Sequence, residues 1–256
     1  MSKPIIPWPG GKRRLLPTLL PLLQEVPHRC YCEPFAGGAA VLFARDPAPI
    51  EVLNDIDGEL VRLYRVVSCH LEEFIRQFKW SLVSREMYRW AQMQAPETLT
   101  DIQRAARFYY LQKLGFGGKV EGRSLGVGPT AAKRLNLLRL EEDLSAAHLR
   151  LHRVTIEHLT WQACVARYDR PTTLFLLDPP YWETEGYGVD FGWEQYEALA
   201  TALRGLKGHA ILTINDHPRI RELFDWLPRQ LVPIRYTLGG GEGPERREVI
   251  YRTWSR

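Results

Sequence analysis

The chain of 256 residues is poor in cysteine, has only three methionines and carries no long apolar run, and each scarcity narrows what it is. Its four cysteines are Cys30, Cys32, Cys69 and Cys164. None stands in a CxxC pair and no secretory leader precedes them, so reduced thiols in a cytoplasmic protein are expected. A metal site at Cys30-Tyr31-Cys32 is the lesser reading beside core packing, and no metal is expected. Residues 15–23 are leucine-rich but too short to cross a bilayer, and Pro17 and Pro21 interrupt them, so no membrane segment is expected. Neither GxGxxG nor GxxxxGK[ST] occurs, which weakens any phosphate-cradling role and with it a nucleotide hydrolase. The charge excess is also small. A net +4 and a pI near 8.9 permit an anionic partner without requiring one.

With 45% apolar residues the chain can bury one large core, or one core with a smaller inserted domain. Short apolar runs at residues 29–32, 50–53, 151–156, 173–177 and 210–214 predict strands, and residues 39–44, 191–205 and 220–226 predict helices among them. Residues 60–112 are rich in Arg, Glu, Trp and Tyr without strand alternation and predict a helical piece, with a further helix around 131–147. Between them, residues 115–129 hold six glycines, which predicts a loop or irregular hairpin. Residues 231–236 and 249–254 alternate well enough for a final hairpin. The expected organisation is an α/β domain in two pieces, 1–59 and 151–256, with a mostly helical insertion at 60–150.

The most informative residues are Asp178-Pro179-Pro180-Tyr181, directly after the run 173–177. They stand at the carboxyl end of a buried strand, where open α/β sheets place their ligands. Two prolines without N–H leave the backbone rich in carbonyl acceptors beside a carboxylate and a stackable ring. Such a corner suits a flat substrate with an exocyclic amine.

Glu33-Pro34-Phe35-Ala36-Gly37-Gly38 likewise follows a strand and opens a helix, so that glycine lets the backbone approach a ligand. Asp55 falls at the end of the next strand, where an acidic side chain in a dinucleotide-type fold bonds ribose hydroxyls. A nucleoside cofactor fits better than a nucleotide phosphate. Pro7-Trp8-Pro9-Gly10-Gly11-Lys12 repeats the design, with an ammonium at a helix start that is placed to pair with a ligand carboxylate.

Taken in order, these motifs resemble the Dam-like, D12 class of N6-adenine DNA methyltransferases. Residues 7–12 resemble its W-x-G-G-K motif, residues 33–38 its E-P-F-x-G-x-G motif, Asp55 its ribose-binding aspartate and residues 178–181 its catalytic D-P-P-Y. Leu114-Gly115-Phe116-Gly117-Gly118 resembles the R-x-G-Y-N-G-type segment that opens the recognition hairpin, with two departures overall: a glycine in that segment replaces the usual asparagine, and Ala39 stands where a glycine is common in the cofactor motif. The resemblance implies a Rossmann-like, S-adenosylmethionine-dependent sheet with helices on both faces, a C-terminal antiparallel hairpin and a target-recognition insertion. It implies Trp8, Lys12, Glu33, Phe35, Gly37, Asp55 and Asp178 at the cofactor. It also implies that Asp178 and the Pro179 carbonyl accept the amino hydrogens of a flipped-out adenine, beside Pro180, with Tyr181 stacked on the base.

Double-stranded DNA is the partner implied. Between Arg104 and Arg153 there are ten Lys or Arg against four acidic residues, and Lys113, Lys119, Arg123, Lys133 and Arg134 in or beside the glycine-rich segment are candidate DNA contacts. A solvated charged face explains any one of them equally well. Methylation of RNA adenine or of cytosine N4, and a catalytically silent DNA-binding relative, are the alternatives. A cognate restriction endonuclease and a monomer or weak dimer are compatible with all of this.

Overall fold

The structure is a computed structural model, and it describes residues 2–116, 120, 122, 124–126, 135–184, 190–235 and 245–255. Its centre is one sheet built from β1 (Cys30–Glu33), β2 (Ile50–Asn54), β3 (Val154–Glu157), β4 (Thr173–Leu177), β5 (His209–Asn215), β6 (Arg229–Arg235) and β7 (Glu245–Arg252). The spatial order is β3-β2-β1-β4-β5-β7-β6. The first five strands pair in parallel, while β7 runs antiparallel to both β5 and β6. The order reverses between β1 and β4, which carry Glu33 and Asp178 at their carboxyl ends; such a switch point opens a crevice.

Strand alternation splits the apolar side chains between two cores. Tyr31, Leu174, Leu176 and Ile211 face one layer, and Cys30, Cys32, Phe175, Leu177 and Leu212 face the other. Both faces of these strands are covered, so they read as continuous apolar runs rather than alternating ones. The four cysteines are free thiols, and Cys32 Sγ lies 3.7 Å from Cys164 Sγ inside the second core.

Helices α1 (Leu16–Gln24), α2 (Ala40–Ala44), α3 (Gly58–Cys69), α4 (Leu71–Arg76), α5 (Arg85–Met93), α6 (Asp101–Leu114) and α7 (Leu137–Leu151) lie on the first side. Helices α8 (Trp161–Tyr168), α9 (Trp193–Arg204) and α10 (Pro218–Leu223) cover the second. The expected tract at 60–112 is four helices rather than one. Each of three new starts has a side-chain cap: Asp57 on Glu59 N and Leu60 N, Ser84 on Met87 N, and Thr100 in a capping box with Gln103.

One boundary differs from expectation. Residues 151–153 were predicted as the start of a strand, but α7 runs to Leu151 and β3 begins at Val154. The buried positions Leu140, Leu144, Ala147 and Leu151 recur at helical spacing, so tertiary burial carries the helix through a stretch of local strand propensity. Side chains of α3, α4, α6 and α7 share one buried cluster with Tyr31, Leu53 and Leu174 of the sheet. No described helix is long and apolar enough to cross a membrane.

Candidate active site

The turn after β1 is drawn tight by its neighbours. The Ala36 N–H donates to the Asn54 carbonyl at 2.9 Å, and the Asn54 side chain bonds the Pro34 carbonyl and both backbone groups of Leu159, tying the ends of β1, β2 and β3 together. Gly37 then takes φ +47°, with the Trp8 indole packed so closely that a Cβ at Gly37 would stand 2.7 Å from Trp8 Cδ1. Ala39, also left-handed at φ 49°, stands where a glycine would be free of strain and costs about 1–2 kcal/mol there. Asp55 closes the turn: one carboxylate oxygen accepts from Gly37 N–H at 2.9 Å and the other from Asp57 N–H at 3.0 Å. Tyr64 donates to the Gly37 carbonyl at 2.6 Å. With the Ile56 N–H also directed at it, the Asp55 carboxylate still has acceptor capacity left for a ligand hydroxyl.

Glu33 is buried below this turn, where its Oε1 accepts from the Tyr31 hydroxyl at 2.8 Å and from Leu42 N–H at 2.9 Å. Burial pushes its carboxyl up to about 7, against the two hydrogen bonds that favour the ionised form.

Asp178 follows β4 as expected, and its partners were not visible in the sequence. Lys12 Nζ lies 2.6 Å from Asp178 Oδ1 and also donates to the Gly10 carbonyl at 2.7 Å. The ammonium sits 4.7 Å from the centroid of the Tyr181 ring. Lys12 was expected to face a ligand carboxylate; in this arrangement it neutralises Asp178 instead. The short 3-10 turn Lys12–Arg14 carries it over the sheet edge, and Lys12 is only 5% exposed, so a charge there needs a buried counter-charge. Thr213 of β5 donates to the same Asp178 oxygen at 2.9 Å. Burial raises the Asp178 carboxyl to about 6, with Lys12 opposing the shift and Glu248 of β7 adding to it.

The segment after Asp178 is pinned from β5 and α9. Asn215 accepts from Trp182 N–H at 3.1 Å and donates to the Trp182 carbonyl at 3.0 Å, while the Tyr196 hydroxyl donates to the Pro180 carbonyl at 2.5 Å. Tyr181, the expected stacking platform, is 8% exposed and packs in the second core with its ring toward Lys12.

These elements enclose a cavity of about 300 Å³. Trp8, Lys12, Glu33, Phe35, Gly37, Asp55, Asp178 and Pro180 line it, as does Trp161; Pro179 and Tyr181 do not. Phe35 forms an aromatic wall with Trp161 and Phe191, at centroid distances of 6.1 and 5.8 Å. Trp161 and Gln162 are both held by Gln195 through hydrogen bonds of 3.0 Å. Sequence reasoning missed Trp161, Phe191, Thr213 and Asn215. A signal did exist for two of them: Thr213 and Asn215 are polar residues at the carboxyl half of the otherwise apolar run that follows His209.

Of the candidate DNA contacts, Lys119, Arg123, Lys133 and Arg134 lie outside the described residues. Lys113 is half-buried, with Nζ 5.3 Å from the Tyr109 ring centroid, and burial lowers its pKa. It is shaped for packing along α6 more than for reaching a phosphate.

Three acids in one site have a consequence for the free protein. Burial, the largest cause in each case, pushes Glu33 up to about 7 and Asp55 and Asp178 up to about 6, above the ordinary carboxylate range. The folded state therefore keeps these protons to higher pH than the unfolded chain. Their stabilising effect is complete below about pH 4 and is lost as pH rises through 6 to 7. The Tm of the free protein is expected to fall between pH 5 and pH 8, and Glu33→Gln to flatten that fall and raise Tm at pH 8. Differential scanning fluorimetry of both proteins checks this; parallel pH profiles would contradict it.

Residues 8–230 match the family described as D12 class N6 adenine-specific DNA methyltransferase. A type II methyltransferase, M.CviBI of Paramecium bursaria Chlorella virus NC1A, is 30% identical over 87% of this chain and 86% of its own length. The retron Ec67 DNA adenine methylase of Escherichia coli is 25% identical over 96% of this chain and 90% of its own. The DNA adenine methylase of Escherichia coli strain K12 is 23% identical over 96% and 92%. A crystal structure of SMU.472 complexed with SAH aligns at a TM-score of 0.41 and 11% identity, covering 96% of this chain; this chain spans about half, 53%, of that one.

Proposed function

The chain belongs to the D12 class of N6 adenine-specific DNA methyltransferases, and we propose that the cavity between β1, β2 and β4 is where it joins cofactor and target adenine. The enzyme transfers a methyl group from S-adenosylmethionine to N6 of adenine in DNA. The observation that carries the site assignment is the position of Asp178: a half-buried carboxylate at the end of β4, on the wall of a cavity that Asp55 also lines.

The residues present fit the cofactor. The Gly37 turn brings backbone to the cavity, Asp55 has lone pairs for ribose hydroxyls, and Phe35, Trp161 and Phe191 offer flat walls for an adenine ring. Bound there, S-adenosylmethionine supplies a methyl group already activated on a sulfonium. The chain's own task is alignment and charge. The adenine amino group is a weak nucleophile because its lone pair is delocalised into the ring. Asp178, on the cavity wall, accepts one of the amino hydrogens, and the carbonyl of Pro179, the next residue though not itself on that wall, is assigned the other; together they favour the tetrahedral nitrogen, placing negative charge where positive charge develops. Lys12 keeps Asp178 ionised and in place until the amine competes for it. Thr213 holds the same oxygen from behind, and Asn215 and Tyr196 fix the segment that follows. Because N6 is engaged in the duplex, the adenine is flipped out to arrive here, at a cost of roughly a few kcal/mol.

The same reading divides the chain into a catalytic domain of residues 1–59 and 151–256 and a target-recognition insertion at 60–150. In it Lys113, Lys119, Arg123, Lys133 and Arg134 are candidate DNA contacts, with Lys113 the weakest on its burial. It describes a cytoplasmic monomer or weak dimer acting on double-stranded DNA, alone or beside a cognate restriction endonuclease. The test is mass spectrometry of nucleosides from DNA and RNA incubated with the protein and labelled cofactor. Label in N6-methyldeoxyadenosine is the expected result. Label in 4-methyldeoxycytidine or in RNA adenosine would move the reading to another amino-methyltransferase, and absence of label to a silent DNA-binding relative.

A further inference from the structure

The aromatic wall of the cavity does not stop at its lip. Phe191 meets Tyr196 edge-on at 4.9 Å, and Tyr196 meets Trp193 at 5.7 Å and Trp182 at 5.7 Å. Trp182 and Trp193 in turn pack at 5.1 Å, and Trp182 is the residue that directly follows the Asp178–Tyr181 segment. Over this pair lies Arg219, exposed at the start of α10, with its guanidinium 3.9 Å from the Trp193 centroid and 5.4 Å from that of Trp182. The platform is rigid. Asn215 clamps both backbone groups of Trp182, and the Trp193 indole N–H donates to Glu197 at 2.8 Å.

Arg219 differs from its neighbour on the same helix. Arg221 is neutralised by a two-pronged bond to Asp216, whereas among the described residues no carboxylate lies within ion-pair distance of Arg219. A stacked guanidinium spends its faces on the rings and keeps its edge for hydrogen bonds, the presentation that suits a phosphate. We propose that Arg219, on its Trp182–Trp193 platform, is a DNA-backbone contact of the catalytic domain, gripping a phosphate of the target strand next to the flipped adenine. The proposal rests on the DNA-methylating function above. It adds a contact outside the basic insertion, and it explains why an arginine is held over rings beside the site rather than over a carboxylate.

The protein contains its own control. Arg204, at the other end of α9, stacks on Trp226 at 4.2 Å in the same manner. It stands roughly 16 Å along the helix from Trp193, toward the amino-terminal edge of the sheet. The test is steady-state methylation of unmethylated plasmid DNA with tritiated cofactor, at several salt concentrations, for wild type, Arg219→Ala, Arg219→Lys and Arg204→Ala. Arg219→Ala is expected to raise KM for DNA about fivefold, the scale of one exposed ionic contact, with kcat and cofactor Kd held within twofold. Its log–log salt dependence should be shallower by about 0.9. Arg219→Lys should restore the salt slope, and Arg204→Ala should match wild type. An unchanged KM and slope in Arg219→Ala, or equal losses in Arg219→Ala and Arg204→Ala, would overturn the contact while leaving the methyltransferase reading intact. A wild type that places no label in DNA would overturn that reading and the contact with it.

Discussion

Asp178→Ala is expected to lose methyl transfer by at least about a thousandfold while still binding S-adenosylmethionine. The carboxylate is the charged acceptor at the end of β4, and of the other acids lining the cavity Asp55 is committed to the Gly37 turn, Glu33 to Tyr31 and Leu42, and Asp57 to the start of α3. The alanine variant also strands the Lys12 ammonium, which is 5% exposed and would be left without its counter-charge, so part of any loss could be a loss of fold. Asp178→Asn separates the two. It also removes the counter-charge of Lys12, but it keeps the volume and an amide oxygen to which both Lys12 and the Thr213 hydroxyl can donate, so the fold is spared more than by alanine, and it cannot carry negative charge to a developing ammonium. Tritium incorporation should fail in both variants, calorimetry should still show cofactor binding, and thermal melts should show folded protein. Activity near wild type in a folded Asp178→Asn would remove Asp178 from the chemistry.

Gly37→Val is expected to weaken S-adenosylmethionine binding about fiftyfold or more. A valine meets two costs at once. Its backbone would have to hold φ +47°, and its Cβ would press to 2.7 Å from Trp8 Cδ1 and 2.8 Å from Nε1. Relief means moving Trp8 or opening the turn, and opening it breaks the bonds that Gly37 makes to Asp55 and Tyr64. The damage therefore lands on the groups that would hold a ribose, and not on the core beneath. Gly205→Ala, at the C-terminal end of α9 with no neighbour closer than 4.0 Å to an added Cβ, serves as the silent companion. Equal cofactor Kd for Gly37→Val and wild type would show that the turn does not touch the ligand.

Much of this was legible in the sequence because chemistry and strand ends coincide. Apolar runs that stop at Glu33, at Asn54-Asp55 and at Asp178 place three acids on one edge of a parallel sheet, and these three line one cavity. What escaped depends on through-space packing. The Lys12–Asp178 pair joins residues far apart in the chain, and nothing in either local sequence marks the other. Tyr181 is expected to stack on the base, and its burial in the second core beside the Lys12 ammonium is a feature of packing that the tetrapeptide does not announce. The helix α7 outran its expected end for a similar reason, since its stripe of leucines had a core to bury in.

The strand order carries a lesson for how this enzyme is made. In sequence β6 precedes β7, but in space β7 lies between β5 and β6. A growing chain thus exposes the edge of β5, with Ile211, Leu212 and Ile214 in it, until β7 has been synthesised, and β6 has to wait for β7 before it can join the sheet. Glu248 arrives with that late strand and sets its charge beside Asp178. A ribosome stalled anywhere before β7 therefore holds a sheet with an open, sticky flank and an unfinished catalytic corner, a state that chaperones and proteases can tell apart from the completed enzyme.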